Sequence, residues 1–145
     1  MLETPISEVI GVQDLLKMPA DASVVDASRQ MNDRQVGAVL VCEGDELLGI
    51  VTEKDVVDRV VGAGLVPAST ILAHVMTPDP VAIAIDDTTM QAIFAMRDHS
   101  TRHLLVKDGS DIVGVVSVRD LLRSVVNQTL SDQQHGEDLW EGFPV

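Results

Sequence analysis

The chain repeats itself. Displaced by 65 residues, it lands on its own sequence without a gap, from Ile6 over Ile71 to Val61 over Val126. Matching pairs include Asp14 with Asp79, Asp21 with Asp86, Ala27 with Ala92, Met31 with Met96, Gly44 with Gly109, Gly49 with Gly114, and Asp55 with Asp120. Two copies of one unit joined by a short connector predict a pseudo-twofold pair. Such a pair has a cleft at its symmetry axis, and function is best sought there.

Each copy reads as strand, helix, strand, strand, helix, which gives an α+β fold of tandem repeats at 6–61 and 71–126 with a connector at 62–70. In the second copy an apolar run, Val81 to Ile85, ends at Asp86-Asp87-Thr88, where Asp or Thr caps a helix carrying Met90, Ile93, Phe94 and Met96. The first copy matches it with Leu15 to Met18, then a helix carrying Val24, Val25, Ala27, Ser28 and Met31. Ala38–Cys42 and Leu47–Val51 follow, joined by Glu43-Gly44-Asp45; their equivalents are His103–Lys107 and Ile112–Val116, joined by Asp108-Gly109-Ser110. The closing helices carry Val56, Val57, Val60 and Val61 in one copy and Leu121, Leu122, Val125 and Val126 in the other, one apolar stripe each. Gly62-Ala63-Gly64 reads as a helix stop, and a short helix is expected over Ser69–Met76. Beyond Val126 the repeat ends, leaving an acidic tail at 127–145 that carries Leu139, Trp140 and Phe143. A disordered tail is the plain expectation; docking of Trp140 and Phe143 on a neighbouring subunit is the alternative.

Composition excludes several functions. With 145 residues, 46% of them hydrophobic, a packed core is assured, but the aromatic content of 2% leaves no platform for base stacking. A net charge of −13 repels nucleic acid and acidic membrane surfaces, whose main binding term comes from Lys and Arg at phosphates. Any phosphate ligand must be small and met by a few local cations. The N-terminus lacks a signal-peptide pattern and no apolar run reaches the ~18–20 residues of a membrane span. Cys42 is the one cysteine, so no intrachain disulfide forms. A cytoplasmic protein is expected.

Chemistry is expected where the third strand meets the closing helix. Copy one reads Gly49-Ile-Val-Thr52-Glu-Lys54-Asp55 and copy two Gly114-Val-Val-Ser117-Val-Arg119-Asp120. A hydroxyl three residues before a carboxylate at a helix start is a capping box, and that alone accounts for both pairs structurally. Lys54 and Arg119 fit it less well. They place positive charge in a first helical turn, where the dipole disfavours it, and so suggest an anion alongside.

The pattern Gly-hydrophobic-hydrophobic-Thr/Ser-x-x-Asp, preceded in copy two by Thr101-Arg102-His103-Leu104, resembles the cystathionine-beta-synthase (CBS) domain, found in pairs called Bateman modules. Ala27–Met31, Ala92–Met96 and Val75-Met76-Thr77 agree, and the resemblance covers residues 6 to 126. It implies a regulatory module that binds an adenosine-containing ligand (AMP, ADP, ATP, S-adenosylmethionine or NAD) in clefts between the repeats, with no required cofactor. Asp55 and Asp120 would accept the ribose hydroxyls, for which an acceptor-only carboxylate is suited. Thr52 and Ser117 would help hold ribose or phosphate. The resemblance also implies that Asp55 shares its cleft with Arg102, His103 and Arg119, while Asp120 shares with Lys54, Gly37 standing where the second copy has Arg102. The Asp55 cleft then has the stronger phosphate clamp. One departure from the family is Leu105 in Arg102-His103-Leu104-Leu105-Val106, where a proline is usual.

Other features carry less. His99 and His103 are separated by a helix end and no metal site is expected; Cys42 reads as a core residue. No nucleophile with its base is recognisable, so no enzyme is expected. The competing reading is a ligand-free interaction module that dimerises through its closing helices. Arg102, Lys54 and Arg119 discriminate the two, because a scaffold needs no cations about its axis. A homodimer is expected in either case, together with an effector protein that the sequence does not identify.

Overall fold

A computed structural model describes residues 2–132; Trp140, Phe143 and the rest of the acidic tail beyond Asp132 lie outside the described residues. The described chain divides into two compact units: residues 15–80, and residues 2–14 together with 81–132. Neither coincides with a sequence repeat, because each takes its leading segment from in front of the other copy.

The unit Leu15–Pro80 contains β1 (Lys17–Met18), α2 (Val24–Arg34), β2 (Ala38–Glu43), β3 (Glu46–Thr52), a helical turn α3 (Glu53–Asp55) and β4 (Thr77–Pro78), counting α1 as the helix in the N-terminal segment. Its sheet runs β1-β2-β3-β4, with β1 parallel to β2 and the other neighbours antiparallel. The second unit contains that α1 (Ile6–Ile10), then β5 (Ala82–Ala84), α4 (Thr89–His99), β6 (His103–Asp108), β7 (Asp111–Ser117) and α5 (Val118–Asp132). Its sheet runs β5-β6-β7, the first pair parallel and the second antiparallel.

Local chemistry explains most boundaries. Ser23 Oγ accepts from Asp26 N to start α2, and Thr88 with Gln91 forms a reciprocal capping box on α4. Both helices stop on a left-handed residue, Gln35 at φ 54° and Ser100 at φ 49°, so His99 and His103 lie on different elements as expected. The hairpins turn at Gly44 and Gly109, whose φ of 59° and 62° favours glycine. The buried face of α4 is narrower than the sequence suggests: Thr89, Ala92 and Met96 point inward, while Ile93 and Phe94 are exposed and the Phe94 ring lies beneath the Arg97 guanidinium.

The leading segments complete each core. Ile6 and Leu72 are both fully buried, one among Ile83, Ala92, Leu104 and Val116, the other among Val24, Ala27, Val39 and Val51. Their backbones bond alike: Ile6 N and Ser7 N donate to Asp87 O and Ile85 O, and Leu72 N and Ala73 N to Ala22 O and Ala20 O. Leu72, not Ile71, is therefore the counterpart of Ile6, one residue further along than the ungapped alignment places it. The helix expected over Ser69–Met76 is replaced by two single 3₁₀ turns, Pro67–Ser69 and Leu72–His74. The amides of Leu72 and Ala73 are spent on the loop before α2 instead of on a continuous helix.

The closing helices differ in kind. In the first copy α3 passes into a π-helical stretch, Val56–Val61, which ends where Gly62 N donates to Val57 O at 2.7 Å. A Cβ on Gly62 would lie 2.7 Å from that same oxygen, so the stop requires glycine. In the second copy α5 is regular and runs past Val126 to Asp132, with Thr129 and Ser131 bonded back to the carbonyls of Val125 and Asn127. Only one residue of each stripe, Val60 and Leu121, is buried; Val57, Val61 and Leu122 face outward. Cys42 is half-buried, and burial pushes its thiol up against a smaller opposing pull from Lys17, which keeps it protonated near neutrality.

The motif glycines admit a crossing segment. β4 pairs with β3 so closely that a Cβ on Gly49 would lie 2.6 Å from Thr77 O and 2.9 Å from Met76 Sδ. At Gly114 the neighbours are side-chain ends, Ile10 Cδ1 at 2.6 Å and Gln13 Oε1 at 3.1 Å. There the Gln13 amide replaces the missing fourth strand, donating to Val115 O and accepting from Val115 N. Gly49→Ala is expected to cost about 1–3 kcal/mol and Gly114→Ala clearly less, because flexible tips yield where a backbone carbonyl does not. Urea unfolding of the two variants checks the order.

Candidate functional site

Each copy ends its last strand in a capping box, as the spacing predicts. Thr52 N and Oγ1 donate to Asp55 Oδ2 at 2.9 and 3.0 Å, and Asp55 N returns a bond to Thr52 Oγ1. Ser117 N donates to Asp120 Oδ2 at 2.8 Å, and Asp120 N to Ser117 Oγ at 3.1 Å. In each case one carboxylate oxygen is committed to the cap. The other is not bonded to the cap, and that oxygen is what a ligand would meet.

The surroundings of the second oxygen differ. Asp55 Oδ1 faces Arg59 Nε at 3.7 Å, and the Asp55 side chain is only 14% exposed. The repeat mate of Arg59 is Ser124, and among the described residues Asp120 makes no ion pair. Asp120 instead borders a groove of about 240 Å³ between α1 and α5, lined by Glu8, Val9, Arg123, Ser124, Asn127 and Gln128. Within it Arg123 Nε, Asn127 Oδ1 and Gln128 Oε1 are buried and unbonded.

The expected residues therefore fall into two sets. Thr52, Lys54 and Asp55 lie together at the end of β3 in one unit. Arg102, His103, Ser117, Arg119 and Asp120 lie together in the other: His103 and Ser117 are register partners, and Arg102 O accepts from Val118 N at 2.9 Å. The first copy repeats that contact with Gly37 O and Glu53 N, but with no side chain on Gly37. Lys54 is paired with Asp58 one turn along its helix, so its charge is already answered and no external anion is needed to explain it. Among the described residues Arg102 and Arg119 are exposed and make no ion pair. Of the three cations expected at the site, Lys54 is thus ion-paired, and Arg102 and Arg119 are not, among the described residues.

Sequence reasoning missed Arg59. Its signal was present, a base four residues after the motif acid, but its other partners are carbonyls that only the fold brings near: Val75 O at 3.1 Å and Met76 O at 3.3 Å from Nη1. The described residues contain no group of three or more His, Cys, Asp and Glu placed to hold a metal, and no helix among them is long and apolar enough to cross a membrane.

Two βαββ-type units, each ending in a glycine, a capping hydroxyl and an acid, define a paired-repeat module. The CBS domain pattern matches twice, at 4–62 and 72–127, and the chain belongs to the CBS domain family. It is 33% identical to YlbB of Bacillus subtilis, over 83% of this chain and 86% of that one. It is 32% identical to the CBS domain-containing protein CBSCBSPB3 of Arabidopsis thaliana, over 86% of this chain but only 22% of that protein. Among solved structures, a conserved protein from Pyrococcus horikoshii superposes with a TM-score of 0.79 at 27% identity, covering 86% of this chain and 94% of the other. The CBS domain protein PAE2072 from Pyrobaculum aerophilum, whose structure holds AMP, shares the fold at a TM-score of 0.73 and 22% identity, over 88% and 98% of the two chains.

Proposed function

We propose that this CBS pair is a regulatory module that binds an adenosine-containing nucleotide of the AMP, ADP or ATP class. The observation that carries the reading is the pair of capping-box acids: Asp55 and Asp120 each spend one oxygen on the cap and keep the other outside it. A carboxylate only accepts hydrogen bonds, so an oxygen left over suits the paired O–H donors of a ribose. Thr52 and Ser117 stand beside it, and Arg102, His103 and Arg119 supply donors for phosphate, with Lys54 the weaker contributor because Asp58 already holds it. AMP in the Pyrobaculum relative shows that this fold accommodates such a ligand in that protein.

Thermal-shift titration with AMP, ADP, ATP, S-adenosylmethionine and NAD tests the reading, since a ligand that binds only the folded chain raises its melting temperature. At 100 times Kd the gain is about 2.7 kcal/mol, or roughly 5–10 °C for a chain of this size. No rise with any of them favours the second reading, a ligand-free interaction module. Four apolar side chains on the closing helices support that alternative: Val57, Val61, Val118 and Leu122 are 45–64% exposed. A homodimer through these helices fits both readings, and sedimentation velocity showing a monomer at every concentration would count against it.

A further inference from the structure

The segment Val75–Pro78 lies over the motif glycine of the first copy and is fastened there by one side chain. β4 is hydrogen-bonded across Gly49 and Ile50, in a contact too close for any Cβ at Gly49. Just before β4, the carbonyls of Val75 and Met76 both accept from Arg59 Nη1. On its other side the same guanidinium faces Asp55 Oδ1 through Nε. Arg59 thus joins the motif acid to the strap that continues into Val81 and the second copy.

Among the described residues the second copy shows no equivalent ion pair: Arg123 and Asp120 border one groove without bonding to each other. Ser124 replaces Arg59, and the leading segment is held over Gly114 by the Gln13 side chain bonding to Val115, with no link to Asp120. The two acids therefore differ in what they are attached to.

We infer that Arg59 is a positioning residue that relays the state of Asp55 to the Val75–Pro78 strap, so that of the two capping-box acids only Asp55 reports the arrival of a ligand diol. The inference builds on the nucleotide reading, but its structural half is independent of any ligand. At 3.7 Å the Arg59–Asp55 contact is an ion pair without a hydrogen bond. A vicinal diol that donates to Asp55 Oδ1 forms short hydrogen bonds in its place and displaces the guanidinium. Arg59 then loses the anchor that aims Nη1 at the two carbonyls, and the strap loosens. Lysine in its place would be a poor substitute, because one ammonium does not offer the planar fork that reaches acid and carbonyls together.

Hydrogen exchange of the full chain reads the strap directly, since Val75 N and Met76 N both donate to Leu72 O just before it. Arg59→Ala is expected to speed exchange across 72–78 by roughly two- to fivefold, the scale of a partly exposed ion pair. Asp55→Asn keeps an oxygen for the cap but removes the charge, and is expected to do the same. The double variant should add nothing, Arg59→Lys should not restore protection, and Ser124→Ala should leave 72–78 unchanged. Saturating AMP should speed exchange of 72–78 in the wild type and not in Arg59→Ala. Unchanged exchange in Asp55→Asn overturns the relay, as does an AMP response that survives Arg59→Ala. If AMP raises the melting temperature of no form while the two single variants still loosen the strap, the nucleotide reading fails and the relay stands.

Discussion

Ile6→Ala and Leu72→Ala are each expected to destabilise the chain by about 2–5 kcal/mol, the range for deleting a large side chain from a core that cannot collapse around the gap. Both residues are fully buried, and each sits among side chains that follow or precede it by a long stretch of chain. If the leading segments merely linked the two units, trimming them would cost little. Because each supplies the plug of a core, the loss should match that of a central strand residue such as Leu104. Urea denaturation with intrinsic circular dichroism provides the comparison. Val12→Ala is the control, since Val12 is fully exposed in the same leading segment as Ile6 and should shift nothing measurable.

The second large effect concerns the ligand. Asp55→Ala is expected to weaken nucleotide binding by roughly 10- to 150-fold, the equivalent of the 1.5–3 kcal/mol assigned to hydrogen bonds with a charged partner. Asp120→Ala should cost clearly less. The pairing that the family resemblance implies gives Asp55 the arginine donors and leaves Asp120 with Lys54, whose charge Asp58 already shares. Arg59 works in the opposite direction by competing for Asp55, but a partly exposed ion pair changes affinity by only about two- to fivefold, too little to reverse the order. Calorimetric titration of both variants decides the matter, and equal losses would refute the inequality. Each substitution also removes a helix cap worth about 0.5–2 kcal/mol, so the asparagine variants are needed to separate lost stability from lost binding.

What the sequence revealed, and what it hid, follows from the range of the forces involved. The hairpins at Gly44 and Gly109, the cap at Thr88 and the boxes at Thr52–Asp55 and Ser117–Asp120 are settled within a few residues, and each was legible. The exchange of leading segments was not, because an ungapped alignment sees identity at Ile6 and Ile71, while packing selects Leu72. The expected helix over Ser69–Met76 failed for a related reason: the amides of Leu72 and Ala73 found the carbonyls of Ala22 and Ala20, which no local pattern announces. Phe94 looked like a core residue by its type, yet it lies on the outer face of α4 against Arg97.

The site shows the same division. The motif residues were legible because their spacing encodes a cap. Their electrostatic partners were legible only in part: Asp58, four residues from Lys54, supplies the anion that a first-turn lysine calls for, whereas Arg119 has no such neighbour among the described residues. Arg59 was hidden because two of its three partners are backbone carbonyls far along the chain.

The most direct test of nucleotide binding is isothermal titration of the purified chain with AMP and with ATP, run beside the Asp55→Asn, Asp120→Asn double variant. Saturable binding of at least one nucleotide to the wild type, abolished in the double variant with its fold intact, is the predicted result. No binding to the wild type, or binding that survives loss of both acids, would contradict the account.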